Sequence, residues 1–272
     1  MNMKYKPQVY SSWGLESNAR LNFPCEIYVD YMPKDKDLYG KVRIILIQEP
    51  VRPGLIADMI NPAYFDCYNH VFTYHQEVLE ANPKAVLFIA ANTRIEDDYY
   101  PGKKIFGVST WISGRNSTGK PGVHMREELW VRKDDIKIPL RFYLSSQLPY
   151  KFGDYKNGLI LGNNKAEMFD TMYHIAFDTV SLRNFFSEKL IDCFRTLTLP
   201  IYYGCTNIGD YFNTDGILIA HNAIEAIDIC NGLTPEFYHS KLAAIRDNYE
   251  RSENYLSHRQ CLDRKLNIMF NT

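Results

Sequence analysis

The chain has 272 residues, 46% of them hydrophobic and 23% charged, with a formal net charge of -1 and a pI of about 6.7. That is globular composition, with apolar material for one large domain or two small ones, and it excludes a disordered or fibrous chain. There is no long basic tract to call for nucleic acid on charge alone, no run near the ~18 consecutive apolar residues of a membrane helix, and no apolar core of a signal peptide near the N-terminus. The expectation is a cytoplasmic protein with no membrane partner.

The six cysteines form no C-x-x-C pair and several lie in apolar segments, so they read as reduced, structural thiols. His70, His75, His124, His174 and His221 show no metal-ligand spacing, and no metal is expected.

In chain order, Val42 to Ile47 (VRIILI) predicts a buried strand ended by Glu49-Pro50. Val71 to Tyr74 is a second strand, Gln76 to Glu80 a helical turn stopped before Pro83, and Ala85 to Ala91 a third strand. A polar stretch with a Pro-Gly break, Asp97 to Lys104, marks a domain boundary. A strand over Ile105 to Ser113 follows, then a Gly-rich loop to Gly122, a helix over His124 to Val131 and a strand over Leu140 to Leu144. Lys165 to Thr171 predicts a short helix and Tyr173 to Phe177 a strand. Phe186 to Leu197 has helical apolar spacing, and Leu199 to Tyr203 is a strand whose Pro200 suits its first residues or an edge. Ile217 to Ala220 adds a strand and Ala223 to Asn231 a helix. Thr234-Pro235 starts a helix running to about Asn248, and the tail from Ser252 to Phe270 is helical.

Strands and helices alternating in two blocks imply two α/β domains with mostly parallel sheets. The expected division is residues 1–100 for an N-terminal domain and 101–272 for a C-terminal domain. Ligands of such sheets bind beyond the carboxyl ends of the strands, which places the expected active site in a cleft between the domains.

The most informative passage is Tyr173 to Phe212. A strand ends at Phe177, a polar loop follows, and a helix opens near Ser187 with Glu188-Lys189 in its first turn. First-turn amides and the helix dipole favour an anion there. A lysine at that position opposes the dipole and so invites an anionic partner such as a diphosphate. Ser187 is placed to cap the helix, and Glu188 to accept hydrogen bonds from a ribose diol. Local physics alone is met equally well by a capped surface helix carrying a solvated Glu-Lys pair.

The larger pattern resembles the donor-binding motif of the α1,3-fucosyltransferases, glycosyltransferase family ten. That motif runs approximately F-E-N-S, a short loop, Y-V-T-E-K, an apolar helix, P-I-Y-W-G and a downstream F-N. Here the matching residues are Phe177-Asp178-Thr179-Val180, Phe185-Phe186-Ser187-Glu188-Lys189, Ile191 to Phe194, Pro200-Ile201-Tyr202-Tyr203-Gly204 and Phe212-Asn213, in order and spacing over 37 residues. Phe106 to Ser113 with Met125 to Leu129 is similar, more weakly, to the strand that opens the family's donor domain and the helix that carries a phosphate-binding arginine. The resemblance implies a GT-B-like architecture of two Rossmann-like domains and inverting, single-displacement transfer of a sugar from a nucleotide diphosphate donor. It also implies Arg126 on the diphosphate, with Arg115 and Lys120 as lesser candidates. Glu49, where the family has a strand-end glutamate, becomes the general base; burial would raise its pKa toward the working range.

Three departures bear on the donor. Asp178 replaces the family glutamate, Thr179 the asparagine and Phe185 the tyrosine. Losing an amide and a phenol hydroxyl removes groups that discriminate one sugar from another. A GDP-linked sugar is expected, with a UDP-linked one as the alternative, and no further cofactor. The expected acceptor is a glycan hydroxyl. The alternatives are a hydroxymethylated base in DNA, as for bacteriophage transferases, and a non-catalytic protein that only binds a nucleotide sugar. Asp97-Asp98 as a metal-binding pair and Gln76-Glu77 on the acceptor side are weaker candidates.

Overall fold

The computed structural model describes residues 4–96, 99, 101–112, 120–145, 158–160 and 165–271. The chain divides into two compact units. The first comprises Met1–Ala91, Arg183–Phe185 and Asn254–Thr272; the second comprises Asn92–Leu182 and Phe186–Glu253.

The first unit holds a parallel five-stranded sheet in sequence order: β1 (Gln8–Tyr10), β2 (Cys25–Val29), β3 (Val42–Leu46), β4 (His70–Thr73) and β5 (Ala85–Leu87). The apolar run predicted from Val42 is buried on both faces, as a central parallel strand must be. Ile44 and Leu46 join a cluster with Leu262 and Leu266 of α8 (His258–Phe270). Ile45 and Ile47 face the opposite cluster, with Met59 of α1 (Pro53–Ile60) and Val78 of α2 (Gln76–Ala81). The C-terminal helix is thus part of this unit's core.

The second unit holds a six-stranded sheet of β6 (Ile105–Ile112), β7 (Leu140–Leu144), β8 (Leu159–Ile160), β9 (Thr171–Phe177), β10 (Leu199–Tyr203) and β11 (Leu218–Ile219). Every pairing is parallel, and the order is β11-β10-β9-β6-β7-β8. The chain therefore starts in the middle at β6, winds outward through β7 and β8, then returns to β6's other side with β9. That reversal is the topological switch point of a doubly wound sheet, where ligands of such folds bind. One face of the sheet is covered by α3 (Pro121–Val131), α5 (Ala223–Asn231), α6 (Pro235–Ser240) and α7 (Leu242–Ser252). Against the other face packs α4 (Glu188–Arg195), whose Leu190, Ile191 and Phe194 are wholly buried.

Pro200 is the second residue of β10, and β11 begins pairing only opposite Ile201, so the missing proline N–H breaks no ladder bond there. The helix expected from Pro235 to Asn248 divides at Lys241. The Lys241 amide bonds the Tyr238 carbonyl three residues back at 3.0 Å, a tighter turn that separates α6 from α7. All six cysteines are buried and none is bonded to another. No helix among the described residues is long and apolar enough to cross a membrane.

Candidate donor site

The switch point of the second unit is assembled around Asp178, the residue that follows β9. Its carboxylate is wholly buried. Oδ2 accepts from the Tyr202 hydroxyl at 2.7 Å, Oδ1 accepts from the Ser187 hydroxyl, and the Lys189 ammonium lies 4.0 Å from Oδ1. Burial raises the pKa of Asp178, while Lys189, Ser187 and Tyr202 pull it back toward the charged form. Gly204 makes this packing possible: a Cβ there would stand 2.2 Å from the Tyr202 oxygen and 2.6 Å from Asp178 Oδ2.

Ser187 is the N-cap of α4. Its Oγ accepts from the Lys189 amide at 3.3 Å and from the Lys189 ammonium at 3.1 Å. Glu188 begins the helix, and its Oε1 lies 3.1 Å from Lys189 Nζ. Burial would raise the Glu188 pKa, but the ammonium groups of Lys189 and Lys165 outweigh it and hold the carboxyl well below its ordinary range. Glu188 therefore stays an acceptor-only group, suited to a diol.

Arg126 lies in α3, which starts at Pro121 and not at His124. Gly122 explains the fixed entry of this helix. Its amide donates to the Thr179 carbonyl at 3.1 Å, and a Cβ there would come within 1.7 Å of the Asp178 carbonyl oxygen. One turn later Arg126 is 4% exposed, and its guanidinium donates to the Phe177 carbonyl at the end of β9. Arg126 Nε has no hydrogen-bond partner.

Arg126 and Lys189 share a small recess of about 280 Å³, counting the solvent at its mouth, with Trp111, Lys165, Phe169 and His174 also on its wall. Among the described residues no acidic side chain lines it. Lys165 opens the short 3-10 segment Lys165–Phe169 before β9; its ammonium lies 3.2 Å from Asp192 of α4 and 5.6 Å from the centre of the Trp111 ring. Asp192 is wholly buried and also accepts from the Thr93 hydroxyl at 2.8 Å and the Arg94 amide at 2.7 Å. His174 is held by Ser109 at 2.8 Å; burial, then Lys165 and Lys104, push its pKa down to about 3.

The remaining predicted residues fall elsewhere. Thr179 lends its backbone carbonyl to Gly122. Phe185 clusters with the first unit, its ring 5.1 Å from that of Tyr74. Glu49 follows β3 in the first unit, with its amide on Asp30 Oδ1 at 3.0 Å. Its side chain is exposed, not buried as expected. Beside it, His75 is buried with Nε2 unpartnered, and burial lowers its pKa. Gln76 bonds Glu80 within α2. Lys120 is the residue before α3, whereas Arg115 and Asp97-Asp98 lie outside the described residues.

The sequence matches no protein-family model and no curated protein. Solved structures do resemble the fold. An α1,3-fucosyltransferase crystallised with GDP-fucose superposes with a TM-score of 0.54 at 14% identity, covering 91% of this chain and 78% of that one. TarM of S. aureus, in complex with fondaparinux, alpha-GlcNAc-glycerol and UDP, gives 0.52 at 12% identity over 90% of this chain and 55% of that one. The N-terminal domain of a Candida albicans trehalose-6-phosphate phosphatase gives 0.56 at 9% identity, over 90% and 70%.

The fold is GT-B-like. Within that GT-B-like frame, the motif residues Asp178, Ser187, Glu188, Lys189, Tyr202 and Gly204 and the more distant Arg126 meet at one sheet end. Sequence reading placed Tyr202 and Asp192 in the motif with no role at the site, and gave Lys165 and Trp111 neither. For Lys165 and Trp111 the only signal was position: each lies within or beside an element that ends at the switch point.

Proposed function

We propose that the chain is a glycosyltransferase using a nucleotide diphosphate-linked sugar, and that the switch point of the second unit receives the donor. The observation that carries this reading is the convergence of Arg126 and Lys189 on a recess without an acidic side chain among its described lining residues, beside the capped start of α4. Fixed cations and first-turn amides are what a leaving diphosphate needs. Arg126 offers a rigid planar donor set and Lys189 a point charge. Glu188 holds the ribose, and Ser187 fixes both α4 and Asp178.

In the inverting form of the reaction, Glu49 takes the proton of an acceptor hydroxyl as that oxygen attacks the anomeric carbon. The bond from that carbon to the diphosphate breaks, and the electron pair leaves with the diphosphate. The motif resemblance favours a GDP-linked donor, fucose or a related sugar, and a glycan hydroxyl as acceptor. A thermal-shift screen with GDP, UDP, ADP, CDP and their sugar conjugates tests the donor. A ligand at about 100 times its dissociation constant adds about 2.7 kcal/mol to stability. A shift with GDP and GDP-fucose alone supports the full reading; a shift with UDP keeps the transferase and discards fucose; no shift with any nucleotide removes it. Where turnover is found, Lys189→Ala should lower it far more than Lys6→Ala, a change at an exposed lysine.

A further inference from the structure

The recess at the switch point is short of acceptors. Two residues that line it carry a buried N–H donor without a partner: Nε1 of Trp111 and Nε of Arg126. Buried donors are nearly always satisfied, so two orphans on residues that line one recess call for an explanation. The other polar groups on the wall are the ammonium groups of Lys165 and Lys189 and the imidazole of His174, the last occupied by Ser109. The carboxylates that neutralise the lysines, Asp192 and Glu188, stand behind them and off the wall. Among the described residues, the two orphaned side-chain groups of the lining are both donors, and its formal charge is positive. One water can accept from two donors, but it carries no charge to offset the cations. A tetrahedral oxyanion presents several acceptor oxygens at once and matches the charge as well as the donors.

We infer that Trp111 and Lys165 complete, with Arg126 and Lys189, a pocket for one phosphoryl group of the donor diphosphate. This rests on the nucleotide-sugar reading and adds two binding residues to it. The topology supports the pairing. Trp111 lies one residue before the end of β6 and Arg126 is bonded to the end of β9, so the pocket spans the two strands between which the winding reverses. Lys165 approaches from the segment that precedes β9. Asp192 is its positioning residue: one carboxylate oxygen holds Lys165 while the other is fixed by Thr93 and Arg94, so the lysine is aimed before ligand arrives. The indole N–H supplies a neutral donor, and its ring face meets the lysine.

The test is isothermal titration of the full chain with inorganic pyrophosphate and with GDP and UDP, alongside guanosine and uridine. Trp111→Phe keeps the ring and deletes only the N–H. Lys165→Met deletes the charge. Because Lys165→Met strands the buried Asp192, the double variant Lys165→Met with Asp192→Asn keeps that pair neutral and guards against a folding defect. The expected result is a loss of about ten-fold or more in affinity for pyrophosphate and for the nucleoside diphosphate that binds, with nucleoside affinity unchanged. Wild-type affinity for diphosphates in all three variants would overturn the roles of Trp111 and Lys165 and leave the nucleotide-sugar reading standing. If the wild-type chain binds neither pyrophosphate nor any nucleoside diphosphate, both fall.

Discussion

The hydroxyl of Tyr202 donates to Oδ2 of Asp178 at 2.7 Å and accepts from the Cys205 amide at 2.8 Å, with both side chains wholly buried. One phenol thus ties the end of β9 to the turn after β10. Tyr202→Phe keeps the ring and orphans two buried partners, each costing about 1–3 kcal/mol. The urea midpoint of the second unit should fall by an amount worth about 2–6 kcal/mol. A midpoint within about 0.5 kcal/mol of wild type would mean that water replaces the hydroxyl.

Gly122→Ala should damage both stability and donor binding. The new methyl would overlap the Asp178 carbonyl oxygen, so α3 must move and take Arg126 with it. Overpacking of this kind costs about 1–3 kcal/mol or more. Gly54→Ala is the contrast, because nothing lies within 4 Å of the added methyl in α1; it should be neutral or stabilise by up to about 1 kcal/mol. Nucleotide titration and melting of the two variants check the pair, and equal behaviour would refute the packing argument.

His174 should make the second unit acid-sensitive. Its folded pKa, about 3, is below the unfolded value of 6.5, so below pH 6.5 the unfolded chain binds a proton that the folded chain does not. The stability it contributes is full above pH 6.5 and is lost as pH falls toward 3, at up to about 1.4 kcal/mol per pH unit. Asp178 and Asp192, whose pKa values burial raises, act in the opposite sense: their folded forms take up protons more readily as pH falls. Comparison with His174→Asn isolates the histidine. The variant should lose less stability than wild type between pH 6.5 and 4.5, and parallel curves would exclude the effect.

Glu49→Gln separates the two halves of the proposed reaction. Donor binding should be unchanged, because Glu49 belongs to the first unit, while turnover should fall by about a hundred-fold or more, the usual range for a lost general base. Full turnover in the variant would assign the acceptor proton to another group.

Much of the fold was legible because β3, β9 and β10 are short runs dominated by apolar and aromatic residues, the signature of strands buried on both faces. The N-terminal strands β1 and β2 were not, since three residues of mixed polarity at Gln8–Tyr10 carry almost no periodic signal. Helix α3 was read from His124 because Pro121-Gly122 looked like the end of a loop, whereas proline here takes the first helical position. At the site, Ser187, Glu188 and Lys189 were legible as a capped helix start. Lys165 and Trp111 were not: what brings them to Arg126 is the reversal of strand order, a property of pairing between distant segments. The same limit applies to Glu49, since its exposure depends on the turn after β3 and on Asp30, 19 residues earlier.

Four of the six buried thiols have a use beyond packing. Burial raises the pKa of Cys25, Cys193, Cys230 and Cys261, so in the native state these sulfurs are neither accessible nor in the nucleophilic thiolate form. Cys25 and Cys261 mark the first unit, and Cys193 and Cys230 the second. A thiol reagent therefore reacts with each only when its surroundings open, and the order in which the sulfurs are labelled is a record of which part of the molecule breathes first. The chain carries its own reporters of local unfolding, with two in each unit.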